Sequence, residues 1–189
     1  MEHAANLIIL CCWSVFIVYW ILSAWSAKRI AERQTLVSAL AHRVPVGLGY
    51  WLMIYLRFPR PMNLHVLPRT DLVLATGAAV CVAGLFITLW ARRTLGGNWS
   101  SDVTFKQGHE LIRQGPYQFV RHPIYTGLLV MGLGSAIEMT QLHCWLGVVV
   151  MSLGFWIKLS QEERLLLRHF PDQYPQYRKE VKALVPWVL

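Results

Sequence analysis

Two stretches of this chain place ionisable side chains directly beside apolar runs. The first is GPYQFVRHPIYTG, Gly115 to Gly127, in which Arg121 and His122 precede Pro123 and a mostly apolar segment. Proline suits the first position of a helix. The guanidinium and the imidazole then sit at a helix N-terminus, where free backbone N–H groups and the dipole favour an anion. Tyr125 lies three residues after His122 and shares its helix face, with Tyr117 in the preceding turn. The second stretch is KLSQEERLLLRHF, Lys158 to Phe170. Lys158 and Glu162 are four apart and line one helix face, while Leu165, Leu166 and Phe170 form an apolar stripe. Glu163 is turned about 100° from Glu162 and is expected to face solvent or Arg164.

Each stretch has a plainer reading. Arg121 serves equally as a charge anchor at the inner edge of a membrane. Lys158 and Glu162 serve equally as a solvated pair worth a few tenths of a kcal/mol. Taken together they point to more. If the helices carrying them form a hairpin, His122 at the start of one and Lys158 at the end of the other lie at one depth. Opposed charges, aromatic rings and helix ends then converge at a membrane interface, a pocket suited to a small zwitterionic ligand.

Apolar blocks must position these residues. Of 189 residues, 55% are hydrophobic and 15% charged, with nine Trp. A soluble domain of this size would expose large apolar patches. The blocks run Leu7 to Trp25, Val44 to Leu56, Leu72 to Leu89, Ile124 to Ile137 and Trp145 to Ile157. The expected fold is therefore all-α, an integral membrane protein with about five transmembrane helices. The first block reads as an anchor rather than a cleaved leader. Met1 to Asn6 has no positive charge, and the apolar run is long for a leader, although Ser23 to Ala27 has a small-residue look. The second block holds Pro45, Gly47 and Gly49 and needs flanking residues from Leu36 onward, or beyond Phe58, to span. Small residues in the fourth and fifth blocks, among them Gly127, Gly134, Gly147 and Gly154, are expected to bring those two helices together, joined by a turn from Glu138 to Cys144.

The net charge of +8 reads as topology, not as a nucleic-acid footprint, since no zinc-finger, RNP or basic-helix pattern accompanies it. Fifteen of the 18 Lys and Arg fall in two alternate connectors and the tail, which places the N-terminus outside and the C-terminal helix and tail in the cytoplasm. Residues 1–93 then form three helices, and 94–189 form a connector, the hairpin and a cytoplasmic C-terminal helix, in one structural unit. The four Cys lie in or at the edge of apolar blocks without CxxC spacing, and no His shows metal-ligand spacing.

GHELIRQGPYQFVRHPIYTG followed by EERLLLRHFPDQYPQYRKEVKALVP resembles the isoprenylcysteine carboxyl methyltransferase family of integral membrane S-adenosylmethionine (SAM)-dependent methyltransferases, closest to its short prokaryotic members. The likeness runs from about Leu95 to Leu189; the N-terminal half matches only as hydrophobic helices. The resemblance implies SAM as cofactor, held by His109, Glu110, Leu111 and Ile112, by Tyr117, by His122, Pro123, Ile124 and Tyr125, and by Glu162. It implies that the basic residue four before that glutamate, Lys158, faces the methyl acceptor. It further implies a lipophilic acceptor, a carboxylate or a thiol, and a site on the cytoplasmic side of a prokaryotic inner membrane.

Two positions depart from the family. It usually has arginine where this chain has Lys158, and often a basic residue where this chain has Ser160. An arginine fork grips a carboxylate bidentately, whereas an ammonium is a point charge. Two rival readings follow: a phospholipid or amphiphile amine methyltransferase using the same cofactor site, and a non-catalytic scaffold or transporter subunit. The last would call for polar residues at mid-membrane, of which the apolar blocks hold almost none.

Overall fold

In a computed structural model the described residues are 1–25, 30–33, 35–55, 58–99, 103–106 and 110–188. The chain forms α1 (Glu2–Ala24), β1 (Ile30–Arg33), α2 (Leu36–Ile54), α3 (Asp71–Leu95), β2 (Thr104–Lys106), α4 (Pro123–Met139), α5 (Leu142–His169) and α6 (Tyr174–Glu180). Single 3-10 turns at Gly96–Asn98 and Gly115–Gln118 shape the connector between α3 and α4. α1, α3 with its following turn, and α5 are long and apolar enough to cross a membrane, and α4 is a shorter apolar helix of the same character. The protein is an all-α integral membrane protein, with one small ribbon in which β1 pairs antiparallel with β2. That ribbon, absent from the sequence expectation, ties the α1–α2 connector to the α3–α4 connector.

Local chemistry sets the helix ends. The Thr35 hydroxyl accepts from the Ser38 N–H, and the Thr70 hydroxyl from the Val73 N–H, both at 3.3 Å. α2 starts at Leu36 and carries Pro45 within it, so the flanking residues complete the short apolar block. α4 opens on Pro123 and closes on Thr140, whose backbone is left-handed (φ 61°). The turn to α5 is only Thr140 and Gln141, shorter than Glu138 to Cys144, and Glu138 belongs to α4. Residues 62–66 seal that turn: the Val66 N–H donates to Thr140 O at 2.8 Å and the Leu142 N–H to Leu64 O at 2.9 Å.

The small residues do not chiefly join α4 to α5. The extensive contacts run α3 against α4 and α2 against α5, with α1 on α3 and a lesser seam between α4 and α5. A Cβ added at Gly127 would lie 2.8 Å from the Gly84 carbonyl oxygen, and one at Gly84 would lie 2.7 Å from that of Gly127. Gly49 and Gly147 show the same relation across α2 and α5, at 2.7 Å each way. Apolar lipid gives helices no hydrophobic reason to associate, so close backbone approach supplies the attraction instead. The two helices joined by the shortest turn, α4 and α5, are therefore not the closest partners here. α1 buries only Ala5, Ile9 and Cys12, and leaves residues such as Leu10, Val18 and Ile21 on the outer surface.

The backbone contacts predict a graded result. Gly127→Ala lowers stability in detergent by about 1–3 kcal/mol through overpacking. Gly47→Ala, where an added Cβ meets nothing within 4 Å, stays within about 0.5 kcal/mol of wild type. Equal unfolding midpoints for the two variants would exclude backbone contact as the glue.

Candidate active site at the polar end of the cavity

A cavity of about 1020 Å³ runs between α1, α2, α4 and α5. It lies at the upper end of small-molecule sites, roughly 300–1,000 Å³. Most of its wall is apolar, including Ile9, Phe16, Met53, Leu128 and Phe155. One end is polar and is lined by Tyr117, Arg121, His122, Tyr125, Lys158 and Glu162.

That end is assembled from three parts of the chain. After α6 the C-terminal segment lies along the residues before α4, in a parallel bridge of Val120 with Lys182. The Arg121 N–H donates to Lys182 O at 2.8 Å and the His122 N–H to Ala183 O at 3.0 Å. The Thr126 hydroxyl donates to Leu184 O at 2.8 Å. The tail thus consumes two of the backbone donors that the sequence reading left open for an anion. What faces the cavity is a cluster of side chains.

The cluster centres on two adjacent carboxylates. Glu163 is 7% exposed and does not face solvent, contrary to expectation. Arg121 Nε and Nη2 donate to its Oε1 at 2.9 and 2.5 Å, and Arg178 Nε lies 3.3 Å from its Oε2. Folding α6 back against α5 covers the side of the helix that periodicity alone assigns to water. Glu162 points the other way. The Tyr125 hydroxyl donates to its Oε1 at 2.5 Å, and His122 Nδ1 stands 3.6 Å from its Oε2. His122 Nε2 is 3.4 Å from Glu163 Oε1, so one imidazole bridges both acids.

Aromatic rings set the depth. The Tyr125 ring stacks on Phe155 at 5.0 Å and on His122 at 5.8 Å, and Lys158 Nζ lies 5.4 Å from its centroid. The charge at Lys158 and the carboxylate at Glu162 thus flank one ring, one helical turn apart. Tyr117 is buried, its hydroxyl donates to Ala91 O at 3.4 Å, and its carbonyl accepts from the Tyr177 hydroxyl at 2.5 Å. Trp99 lines the cavity beside Trp20 (5.2 Å between centroids), under the buried guanidinium of Arg92 at 4.5 Å.

Of the residues singled out from sequence, Tyr117, His122, Ile124, Tyr125, Lys158 and Glu162 meet at the cavity. Pro123 is fully buried at the start of α4, behind the lining. Glu110 is exposed and Leu111 half-buried, neither on the cavity wall, and Ile112 packs against the main core. His109 lies outside the described residues. Sequence reasoning missed Glu163 and Arg178 as parts of the site, and Trp99 as part of its wall. The acid was visible in the Glu-Glu pair, but its partner is a tail residue fifteen positions on.

The electrostatics of His122 yield a pH dependence. Burial alone would lower its pKa, but hydrogen bonds and charge from Glu162 and Glu163 overcome that and hold it above the ordinary 6.5. A raised folded-state value means the imidazolium contributes stability that is fully present below about pH 6.5 and is lost as pH rises through the raised value. The unfolding midpoint of the detergent-purified protein therefore falls as pH climbs through that window, and His122→Gln removes that part of the slope. A wild-type slope retained in full by His122→Gln would place the titration elsewhere.

The model of the isoprenylcysteine carboxyl methyltransferase (ICMT) family matches residues 75–168, which include α4, almost all of α5 and both acids. The chain is 32% identical over 111 residues to the protein-S-isoprenylcysteine O-methyltransferase of Schizosaccharomyces pombe, covering 56% of this chain and 46% of that protein. It is 28% identical over 170 residues to the Tribolium castaneum protein of the same name, covering 85% and 57%. It is 41% identical over 71 residues to methanethiol S-methyltransferase 1 of Bradyrhizobium diazoefficiens, covering 38% and 24%. The chain spans about half the length of the first two relatives and less of the third. With a matching family model, relatives of one kind and the Arg-His-Pro-x-Tyr and Glu-Glu motifs meeting in one cluster, the chain belongs to the isoprenylcysteine carboxyl methyltransferase family.

Proposed function

We propose that this protein is a membrane-embedded methyltransferase that moves a methyl group from SAM to a lipophilic acceptor bearing a carboxylate or thiol. The observation that carries the reading is the flanking of Tyr125 by Glu162 and Lys158 at the polar end of an otherwise apolar cavity. Opposite charges one turn apart suit two ligands that must meet: a cationic donor and an anionic acceptor.

The residues present fit SAM. Glu162 presents its second carboxylate oxygen, Oε2, to the cavity end with His122 Nδ1 at 3.6 Å, and its side chain is 22% exposed. It can accept from an ammonium or from ribose hydroxyls. Tyr117, Leu165 and Trp99 offer flat and apolar surface for a purine. When bound, SAM supplies an electrophilic methyl on a sulfonium.

The protein's contribution is placement. Lys158 holds an anionic acceptor head beside the Tyr125 ring and stabilises the carboxylate or thiolate over its protonated form. Tyr125 is fixed by Phe155 on one face and by its bond to Glu162, so the acceptor atom has a rigid wall to approach along. Holding the reacting atoms in line converts a bimolecular displacement into an effectively unimolecular one. The apolar wall excludes water, which favours a reaction in which opposite charges neutralise. Lys158 also disfavours an amine acceptor, whose conjugate cation it would repel. The relatives' names divide between O- and S-methylation, and the ammonium in place of arginine favours the more compact thiolate. We place this end in the cytoplasm of a prokaryotic cell, where SAM is available, on the distribution of 15 of the 18 basic residues. The lipophilic acceptor then enters from the bilayer. In intact cells, a cysteine at Gln176 in a Cys11→Ser background should resist labelling by an impermeant maleimide; labelling from outside would reverse the orientation.

The two charges should separate in titration. Glu162→Ala loses a charge-assisted hydrogen bond of about 1.5–3 kcal/mol and weakens SAM binding roughly 10- to 150-fold by calorimetry. Lys158→Ala binds SAM nearly normally yet transfers methyl poorly. Loss of SAM affinity in Lys158→Ala as severe as in Glu162→Ala would show the pair to be one cofactor unit. Near-neutral behaviour of both, within about 1 kcal/mol, would reduce them to a surface ion pair.

A further inference from the structure

The cavity has a second polar feature at its far end. Glu138, near the C-terminus of α4, lines the cavity and is 1% exposed, and its Oε1 has no hydrogen-bond partner among the described residues. Several polar side chains near it are otherwise engaged. Ser135 accepts from Trp13 Nε1 and donates to Met131 O, each at 3.0 Å. Arg69 pairs with Glu2. The Thr140 hydroxyl lies 2.7 Å from Met139 O and 2.5 Å from His65 Nδ1.

A buried carboxyl with an unmet acceptor is costly, and buried polar atoms in native proteins are almost always paired. Within a membrane such a residue marks a binding function more often than a packing one. The backbone and Cβ of Glu138 stand in the α3–α4 seam, where a Cβ added at Gly77 would lie 2.6 Å from its N and 2.8 Å from its Cβ, but that packing makes no use of the carboxyl group. Between the two ends the wall is apolar, and the Trp13 and Tyr50 rings meet edge to face at 5.5 Å where α1 approaches α2. From His122 to Glu138 the span along α4 is about 24 Å, at about 1.5 Å per residue.

We infer that the cavity takes an amphiphile with polar groups at both ends: the methyl-accepting head at Lys158, and at the distal terminus a hydroxyl or amine that donates to Glu138. The inference rests on the reading that the cavity holds the lipophilic acceptor, and it specifies that acceptor's chemical class. A chain ending in methyl leaves the carboxyl unpaired, and a site built to hydrogen-bond a hydroxyl rejects the analogue that lacks it.

The test uses the purified protein in lipid nanodiscs and two long-chain thiols matched to a length of about 24 Å, one ending in a hydroxyl and one in a methyl group. Binding is read by competition with a fluorescent alkyl probe. The wild type binds the hydroxyl-ended thiol roughly ten-fold tighter. Glu138→Gln, which keeps an acceptor oxygen, retains most of that preference, and Glu138→Leu loses it. Equal binding of the two thiols by wild type, or a preference that persists in Glu138→Leu, overturns the inference and leaves the carboxyl holding water. A SAM titration on the same preparations separates the two levels. Intact SAM binding without a terminal-group preference rejects the distal site alone, whereas absent SAM binding rejects the methyltransferase reading beneath it.

Discussion

The Glu163 carboxylate lies between two guanidinium groups drawn from opposite ends of the C-terminal half, Arg121 before α4 and Arg178 in α6. Both side chains of the Arg121–Glu163 pair are more than nine-tenths buried. Breaking such a pair by removing one partner leaves an uncompensated charge and costs about 3–5 kcal/mol. The rest of the polar end depends on this contact. It fixes α5 against the start of α4, and it pins α6 so that the tail can bond with its carbonyls to Arg121 and His122. Glu162, one position earlier on the same helix, is then directed to the cavity. Two adjacent acids thus divide the work, one holding the fold and the other lining the cavity.

The glycine contacts have the complementary effect. By drawing α3 onto α4 and α2 onto α5 at backbone distance, they concentrate the attraction in two pairs and leave space between α1, α2 and α4. A bundle with uniform side-chain packing would close that space. Here it is left as an elongated, largely apolar cavity, with rings from α1 and α2 touching across it at Trp13 and Tyr50. A long apolar ligand and a small polar one can therefore meet at the cluster of Lys158, Tyr125 and Glu162 without crossing bulk water.

Much of this was legible in the residues. Helical spacing placed Lys158 with Glu162 and His122 with Tyr125, and the structure sets all four at the cavity. The apolar blocks marked where the five long helices lie, although α2 begins at Leu36, ahead of its block at Val44, and α5 runs on to His169, past the end of its block at Ile157. The failures share a cause, which is that periodicity describes one helix at a time. Glu163 was assigned to water because nothing local says that α6 returns to cover that face. The glycines were recognised as packing residues but matched to the wrong helix, since the tight turn between α4 and α5 was taken to make them the closest pair, whereas α4 packs on α3 and α5 on α2. Glu138 was read into a turn because it is charged, although α4 continues through it. The ribbon of β1 with β2 joins segments more than seventy residues apart and has no local signature.

The proposal that SAM binds where the connector, α5 and the C-terminal segment meet is the central claim of this account. Hydrogen–deuterium exchange of the purified protein, with and without SAM, tests this most directly. The account predicts that SAM slows exchange in peptides covering residues 110–122 and 170–185, and leaves the first half of α3, residues 71–84, unchanged. SAM that binds without protecting either polar-end segment, or that protects α3 instead, would contradict it.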